Sequence, residues 1–242
     1  ITGTEVSKEA SDMVLADDNF ATIVNAIELG RWIYDNIKKY LTYLLQANLV
    51  EIVMLSIAVL LGFPMPLLPV QILYVNLATD GLPALALGLS PPDPDIMKKP
   101  PRNPKEPIFT WEVKSFLLRT LIVGTPLILW VFLTSLPYEE MARTRVFLTF
   151  VFFELVVALT CRSLEYTIFE TRPHGFLLAA VSWEVFLLLV LISLPITRQA
   201  LGIVEPDLIS FSLAIVVSII TLVSTEATKL LLRRNRSNKY QN

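Results

Sequence analysis

The stretch ILYVNLATDGLPALALG, residues 72–88, decides how this chain is to be read. Its ends are apolar enough for a membrane, yet its middle holds Asn76, Thr79, Asp80, Gly81 and Pro83. On a helix, Asn76, Thr79 and Asp80 fall at i, i+3 and i+4, on one face. Pro83 has no N–H, so the carbonyl of Thr79, four residues back, loses its helical donor. Gly81 eases a departure from helical geometry. At membrane depth, irregular backbone is tolerated only when buried in protein or lining a cavity, and ionisable groups there are costly. The segment reads as a functional span rather than an anchor.

The rest of the chain supports a membrane setting. Of 242 residues, 54% are hydrophobic and 17% charged, with mean hydropathy +0.59. Soluble domains carry about 25% charged residues. The net charge of −2 gives no reason to expect nucleic acid as a partner. One cysteine excludes an internal disulfide framework and a multi-cysteine metal centre. Apolar runs of membrane-spanning length, roughly 20 residues, occur at 40–63, 70–89, 120–136, 146–164, 176–196 and 208–232. The expected fold class is therefore an all-α polytopic membrane protein with six transmembrane helices in the lipid bilayer. Lys and Arg divide 17 to 3 in favour of the side holding both ends, which places both termini in the cytoplasm.

No secretory signal opens the chain: residues 1–20 are polar and mixed, and they lack an initiator Met, as in a chain truncated at its start. Asp17, Asp18 and Asn19 are helix N-cap candidates. From Ala21 the helical pattern runs to Gly62, broken only by Gly30. About 40 residues at 1.5 Å each make a rod of roughly 60 Å, so the first helix should project from the membrane as a stalk. Seven prolines fall between Pro91 and Pro107, in PPDPDIMKKPPRNPKEP. That loop is stiff, and serves either as a brace or as a plain connector.

Three carboxylates lie in mid-span: Glu51 in QANLVEIVML, Asp80, and Glu154 in FVFFELVVALT. Asn48 and Glu51 share a face at i, i+3. The candidate cation ligands are thus Asn48, Glu51, Asn76, Thr79, Asp80 and Glu154, all oxygen donors with no His or Cys among them. Hard cations such as Ca²⁺ prefer such donors, whereas Zn²⁺ and Cu⁺ favour imidazole or thiolate. Asn or Thr alone would read as hydrogen-bonding glue between helices. Three carboxylates with no Lys or Arg at their depth read instead as a cation site. Emptied of its cation, such a site should take up protons, which would make transport an exchange. Cys161 reads as packing and His174 as a solvated loop residue. Glu184 and Glu226 read as span-end groups, and Trp111, Trp130 and Trp183 as lipid-contact residues. No phosphate loop or nucleophile–base pair is present, so no catalytic or cofactor-binding residue is assigned.

YVNLATDGLPALALG and PPDPDIMKKPPRNPKEP closely resemble type II P-type ATPases, the calcium pumps of the sarco/endoplasmic-reticulum kind. GTEVSKEASDMVLADDNFATIVNAIELGR resembles the end of that family's phosphorylation domain and the stalk of its fifth helix. The resemblance implies that residues 1–20 close the phosphorylation domain. Residues 21–242 would then form the stalk and the fifth to tenth membrane helices. It also implies that Asn48, Glu51, Thr79, Asp80 and Glu154 serve one calcium site, and Asn76 and Asp80 a second. FVFFELVVALTCRS is closer to secretory-pathway calcium/manganese pumps, which generally lack the Asn48/Glu51 pair. The phosphorylated-Asp motif, nucleotide-binding domain, actuator and earlier helices are missing partners, so ATP and Mg²⁺ would act only through them. Alone, the chain is expected to be inactive. Two rival readings are a secondary cation transporter or channel, and a truncated module regulating a partner.

Overall fold

The computed structural model describes residues 3–103 and 105–241, with side chains through residue 234. Among the described residues there are helices and no strands. A short α1 (Glu5–Glu9) precedes α2 (Phe20–Leu60), a single helix of 41 residues. Asn19 caps α2, its side chain accepting from the Ala21 N–H at 3.0 Å. The helix stops at Leu60 because Gly62 turns left-handed, with φ +72°. Burial of α2 begins only at Asn36; Phe20, Val24, Ile27 and Leu29 are exposed, as a projecting stalk requires.

The 72–88 region folds as α3 (Pro69–Tyr74), a π-helical turn (Val75–Thr79) and α4 (Gly81–Gly88). Within the turn the Asp80 N–H reaches back five residues to the Val75 carbonyl, at 3.1 Å. The helix therefore bulges rather than breaks. The irregularity lies one turn before Gly81, which itself starts regular helix. A second π turn (Thr120–Gly124), which the sequence reading did not anticipate, joins α5 (Trp111–Arg119) to α6 (Thr125–Ser135). Both π turns lie just before a proline, Pro83 or Pro126, whose missing N–H frees a carbonyl in the preceding turn. The third apolar segment is thus helical from Trp111, not from residue 120.

The remaining helices are α7 (Glu139–Thr160), α8 (Gly175–Ser193), α9 (Pro195–Leu201) and α10 (Leu208–Gln241). The α10 residues Arg236 and Lys239, counted in the charge balance, lie outside the described side chains. α7 is the central post, packed against α10 and α6 and also touching α2, α4 and α8. Its Phe147, Phe150 and Phe153 are fully buried. Gly124 lets α6 close on this post: a Cβ there would sit 3.1 Å from Phe153 Cε2 and 3.5 Å from Val50 Cγ2.

Among the described residues, five segments are long and apolar enough to cross a membrane: Phe20–Leu60, Pro69–Gly88, Trp111–Ser135, Gly175–Ser193 and Leu208–Arg234. Only 28–44% of each apolar window is buried within the chain. The large apolar side chains left outside, such as Leu73, Leu77, Ile122, Trp130 and Ile219, therefore need lipid or further helices. α7 is not among the five; Arg143, Arg145 and Glu154 make it too charged to qualify on composition. It is also the most interior helix of the bundle, so its sequence answers to protein neighbours more than to lipid.

The proline-rich loop is a brace. Arg31 on α2 donates to the carbonyls of Ile96 and Lys99 at 2.9 and 2.7 Å. Trp32 and Asn36 donate to the Ser90 carbonyl. Lys39, nearly fully buried, faces Asp93 at 3.6 Å, and Asp93 accepts from Ser163 at 2.9 Å. Lys99 bridges Asp35 and Glu165. The base of the stalk, this loop and the turn after α7 thus form one polar lock.

Candidate cation site

Three helices bring the predicted residues together at the first π turn. On α2, Glu51 accepts from Asn76 Nδ2 at 3.0 Å. The Thr79 hydroxyl lies 2.6 Å from the Val75 carbonyl and 2.8 Å from Glu154 Oε2 on α7. A hydroxyl has one proton to donate, so one of these acceptors goes short. Asp80 Oδ1 is buried with no hydrogen-bond partner. The three carboxylates are 6%, 4% and 1% exposed for Glu51, Asp80 and Glu154; Asp80 feels the charge of Glu51, and Glu154 that of Asp80 and Glu51. Unpaired buried carboxylates are costly, and the arrangement leaves acceptor oxygens unsatisfied where a cation would satisfy them.

Two predicted ligands sit differently. Asn48 turns its amide N–H to the Leu44 carbonyl on its own helix, at 2.8 Å. Asn76 is exposed on the outer side of α3–α4, although its amide reaches Glu51. Among the described residues no group of three His, Cys, Asp or Glu converges as a metal cage. The site consists of two interhelical pairs, Glu51–Asn76 and Thr79–Glu154, with Asp80 beside them.

The carbonyl freed by Pro83 is already occupied: the Tyr43 hydroxyl donates to the Thr79 carbonyl at 3.3 Å and lies against Asp80. Tyr43 is fully buried one turn below Ala47 on the site-facing side of α2. The sequence reading missed it because a tyrosine at helical spacing looks like core. Its place among Tyr43, Gln46, Ala47, Val50 and Glu51, the buried face of α2, was the available signal.

Arg119, which directly precedes the apolar run at 120–136 and counts among the basic residues of the connections, is buried at the end of α5. It donates to Gln46 Oε1, which also accepts from Thr120 at 2.8 Å, while the Gln46 amide reaches Cys161 Sγ at 3.3 Å. Gln46 is five residues before Glu51, roughly 7 Å along the axis. Arg119 is therefore a buried cation about one and a half turns from the level of the carboxylates, toward the basic face. Glu184 also departs from expectation. It sits at the middle of α8 and is buried, not near a span end. Glu226 does cap, accepting from the Ile168 N–H at 3.1 Å and pairing with Lys229 at 2.9 Å.

A family model described as "Cation transporting ATPase, C-terminus" matches residues 64–231. A protein of Bacillus subtilis (strain 168) named "Calcium-transporting ATPase" is 46% identical over 204 residues, covering 81% of this chain and 22% of its own length. "Calcium-transporting ATPase 1" of Bacillus cereus (strain ATCC 10987 / NRS 248) is 38% identical over 251 residues, covering 95% of this chain and 28% of its own length. The chain thus spans less than a third of the length of these curated relatives. With its apolar helices and its polar core at mid-span, this multi-pass membrane chain belongs to the family of cation-transporting ATPase C-terminal domains.

Proposed function

We propose that the chain is the cation-binding transmembrane part of an ATP-driven calcium pump that exchanges calcium for protons. The observation that carries this reading is the pair of interhelical bonds Glu51–Asn76 and Thr79–Glu154 around an unsatisfied Asp80, at a π turn. Asn48, Glu51, Asn76, Thr79, Asp80 and Glu154 would hold Ca²⁺, with further oxygens from earlier helices of the whole pump. That Asn76 is exposed supports this, because a polar group at mid-span needs a protein neighbour. Names of the two Bacillus relatives support calcium as the ion.

In this reading α7 also crosses the membrane, as the fourth of six spans, and both ends face the cytoplasm. Residues 1–20, of which the first two lie outside the described residues, would close the phosphorylation domain. ATP and Mg²⁺ would act in the missing domains, which makes the whole protein a translocase and this part inactive alone. α2 would be the lever. It is continuous from Phe20 to Glu51 and beyond, so movement at the phosphorylation domain reaches the ligands without a joint. Alternating access then changes the affinity of the same ligands, and a full population swing takes about 5.5 kcal/mol of differential binding.

Asp80→Asn in the full-length pump tests the assignment. Calcium-dependent phosphorylation by ATP should be lost, while phosphorylation by inorganic phosphate without calcium should persist. Retention of normal calcium affinity would sink the assignment.

A further inference from the structure

Glu184 is the tenth of the nineteen residues of α8 and is 1% exposed. Its Oε2 has no hydrogen-bond partner, and among the described residues no Lys or Arg pairs with it. α8 packs against α4, α7 and α9. α4 has no titratable side chain, and α9 offers Arg198, which is engaged with Glu205 at 3.0 Å. α7 offers Glu154 toward its middle; its other charges, Glu139, Glu140, Arg143 and Arg145, occupy its first two turns. From α3 comes Tyr74, whose buried hydroxyl also lacks a partner. Tyr74 and Glu154 both lie within electrostatic reach of Glu184, and Tyr74 is held by its ring against Phe147 at 5.6 Å. The charge that Glu184 is seen to interact with is therefore of its own sign.

An ionised carboxylate so placed is strongly unfavourable. Something must neutralise it. A metal ion is a poor fit, since one carboxyl and one phenol fall far short of the 6–8 oxygens that Ca²⁺ takes. A proton needs only the carboxyl.

We propose that Glu184 is a proton-carrying site distinct from the cation ligands, loaded in this conformation and emptied and refilled once per transport cycle. When the site opens to one side, the carboxyl O–H bond breaks and the proton passes to water there; on the other side water supplies a proton and the bond re-forms. Cation arrival at Glu154 and Asp80 removes negative charge nearby, which couples the two sites. This proposal rests on the pump reading above.

The test uses the full-length pump in sealed proteoliposomes, with calcium uptake and internal pH followed together. Glu184→Gln, which keeps shape and removes the titrating group, should still take up calcium, with the proton-to-calcium ratio lower by one proton per cycle. Infrared difference spectra supply a readout independent of turnover. The C=O band of a protonated carboxylic acid should be present in the wild type and missing in Glu184→Gln. An unchanged ratio, or an unchanged band, would overturn the proposal. So would loss of calcium-dependent phosphorylation in Glu184→Gln, since that would make Glu184 a cation ligand. If the wild-type pump takes up no calcium, the pump reading fails, and the infrared band still decides whether Glu184 holds a proton.

Discussion

At the residue scale, the chemistry turns on which polar groups in the bundle are already satisfied. Tyr43 fills the acceptor that Pro83 frees, so the Thr79 carbonyl is no longer an idle ligand. Removing that hydroxyl with Tyr43→Phe leaves a buried carbonyl short, at a cost of about 1–3 kcal/mol. Calcium affinity of the full pump should fall several-fold while phosphorylation by ATP persists; unchanged affinity would show that Tyr43 only fills space. Residue-level reading of the sequence went far here. Glu51, Thr79, Asp80 and Glu154 are all buried around the π turn. Side-chain direction it does not give. Asn48 shares a face with Glu51, yet its amide bonds to its own helix. Arg119 looked like a loop charge because its neighbours Lys114 and Glu112 are polar, and only packing against Gln46 shows it is inside.

At the element scale, two helices carry a π turn beside a Gly-x-Pro: Gly81-Leu82-Pro83 lies just after the first, and Gly124-Thr125-Pro126 begins on the last residue of the second. The first was legible because Asp80 drew attention to it. The second has no charged residue, so it passed as plain apolar span although the same tripeptide marks it. Gly124 carries a further constraint. Even the Cβ of Ala would press on Phe153, the neighbour of Glu154, and a larger side chain has nowhere to go. Gly124→Leu should destabilise the α6–α7 contact by about 1–3 kcal/mol and lower calcium affinity. Phe153→Leu in the same protein should recover part of both, as read by thermal unfolding and calcium titration. Failure of the second change to rescue would place the strain elsewhere.

On the scale of the whole molecule, the two faces differ. The basic face is locked by buried and half-buried polar contacts: Lys39–Asp93, Lys99 with Asp35 and Glu165, and Lys229 donating to the Thr160 and Tyr166 carbonyls at 2.7 and 3.2 Å. Sequence alone suggested a stiff loop there but not its partner. The opposite face is held by more exposed pairs, chiefly Arg145–Asp207 at 2.8 Å. Ser210, through its hydroxyl and its N–H, and then Arg145 hold the Asp207 carboxyl down at about 2. A depressed carboxyl pKa contributes stability above the unfolded value, about 3.9, and the contribution disappears as pH falls through 2. Thermal stability of the purified protein should therefore drop between pH 4 and 2, and Asp207→Asn should flatten that part of the profile. Because the pair is partly solvated, the effect should be modest and weaken with salt.

Equilibrium binding of radioactive calcium to membranes holding the full-length pump, without ATP, tests the central claim most directly. The account predicts saturable, stoichiometric binding in the wild type and its loss in Glu51→Gln and Glu154→Gln, with protein levels unchanged. Wild-type binding that survives both substitutions would contradict the assignment of the cation site to the π turn between α2, α3 and α7.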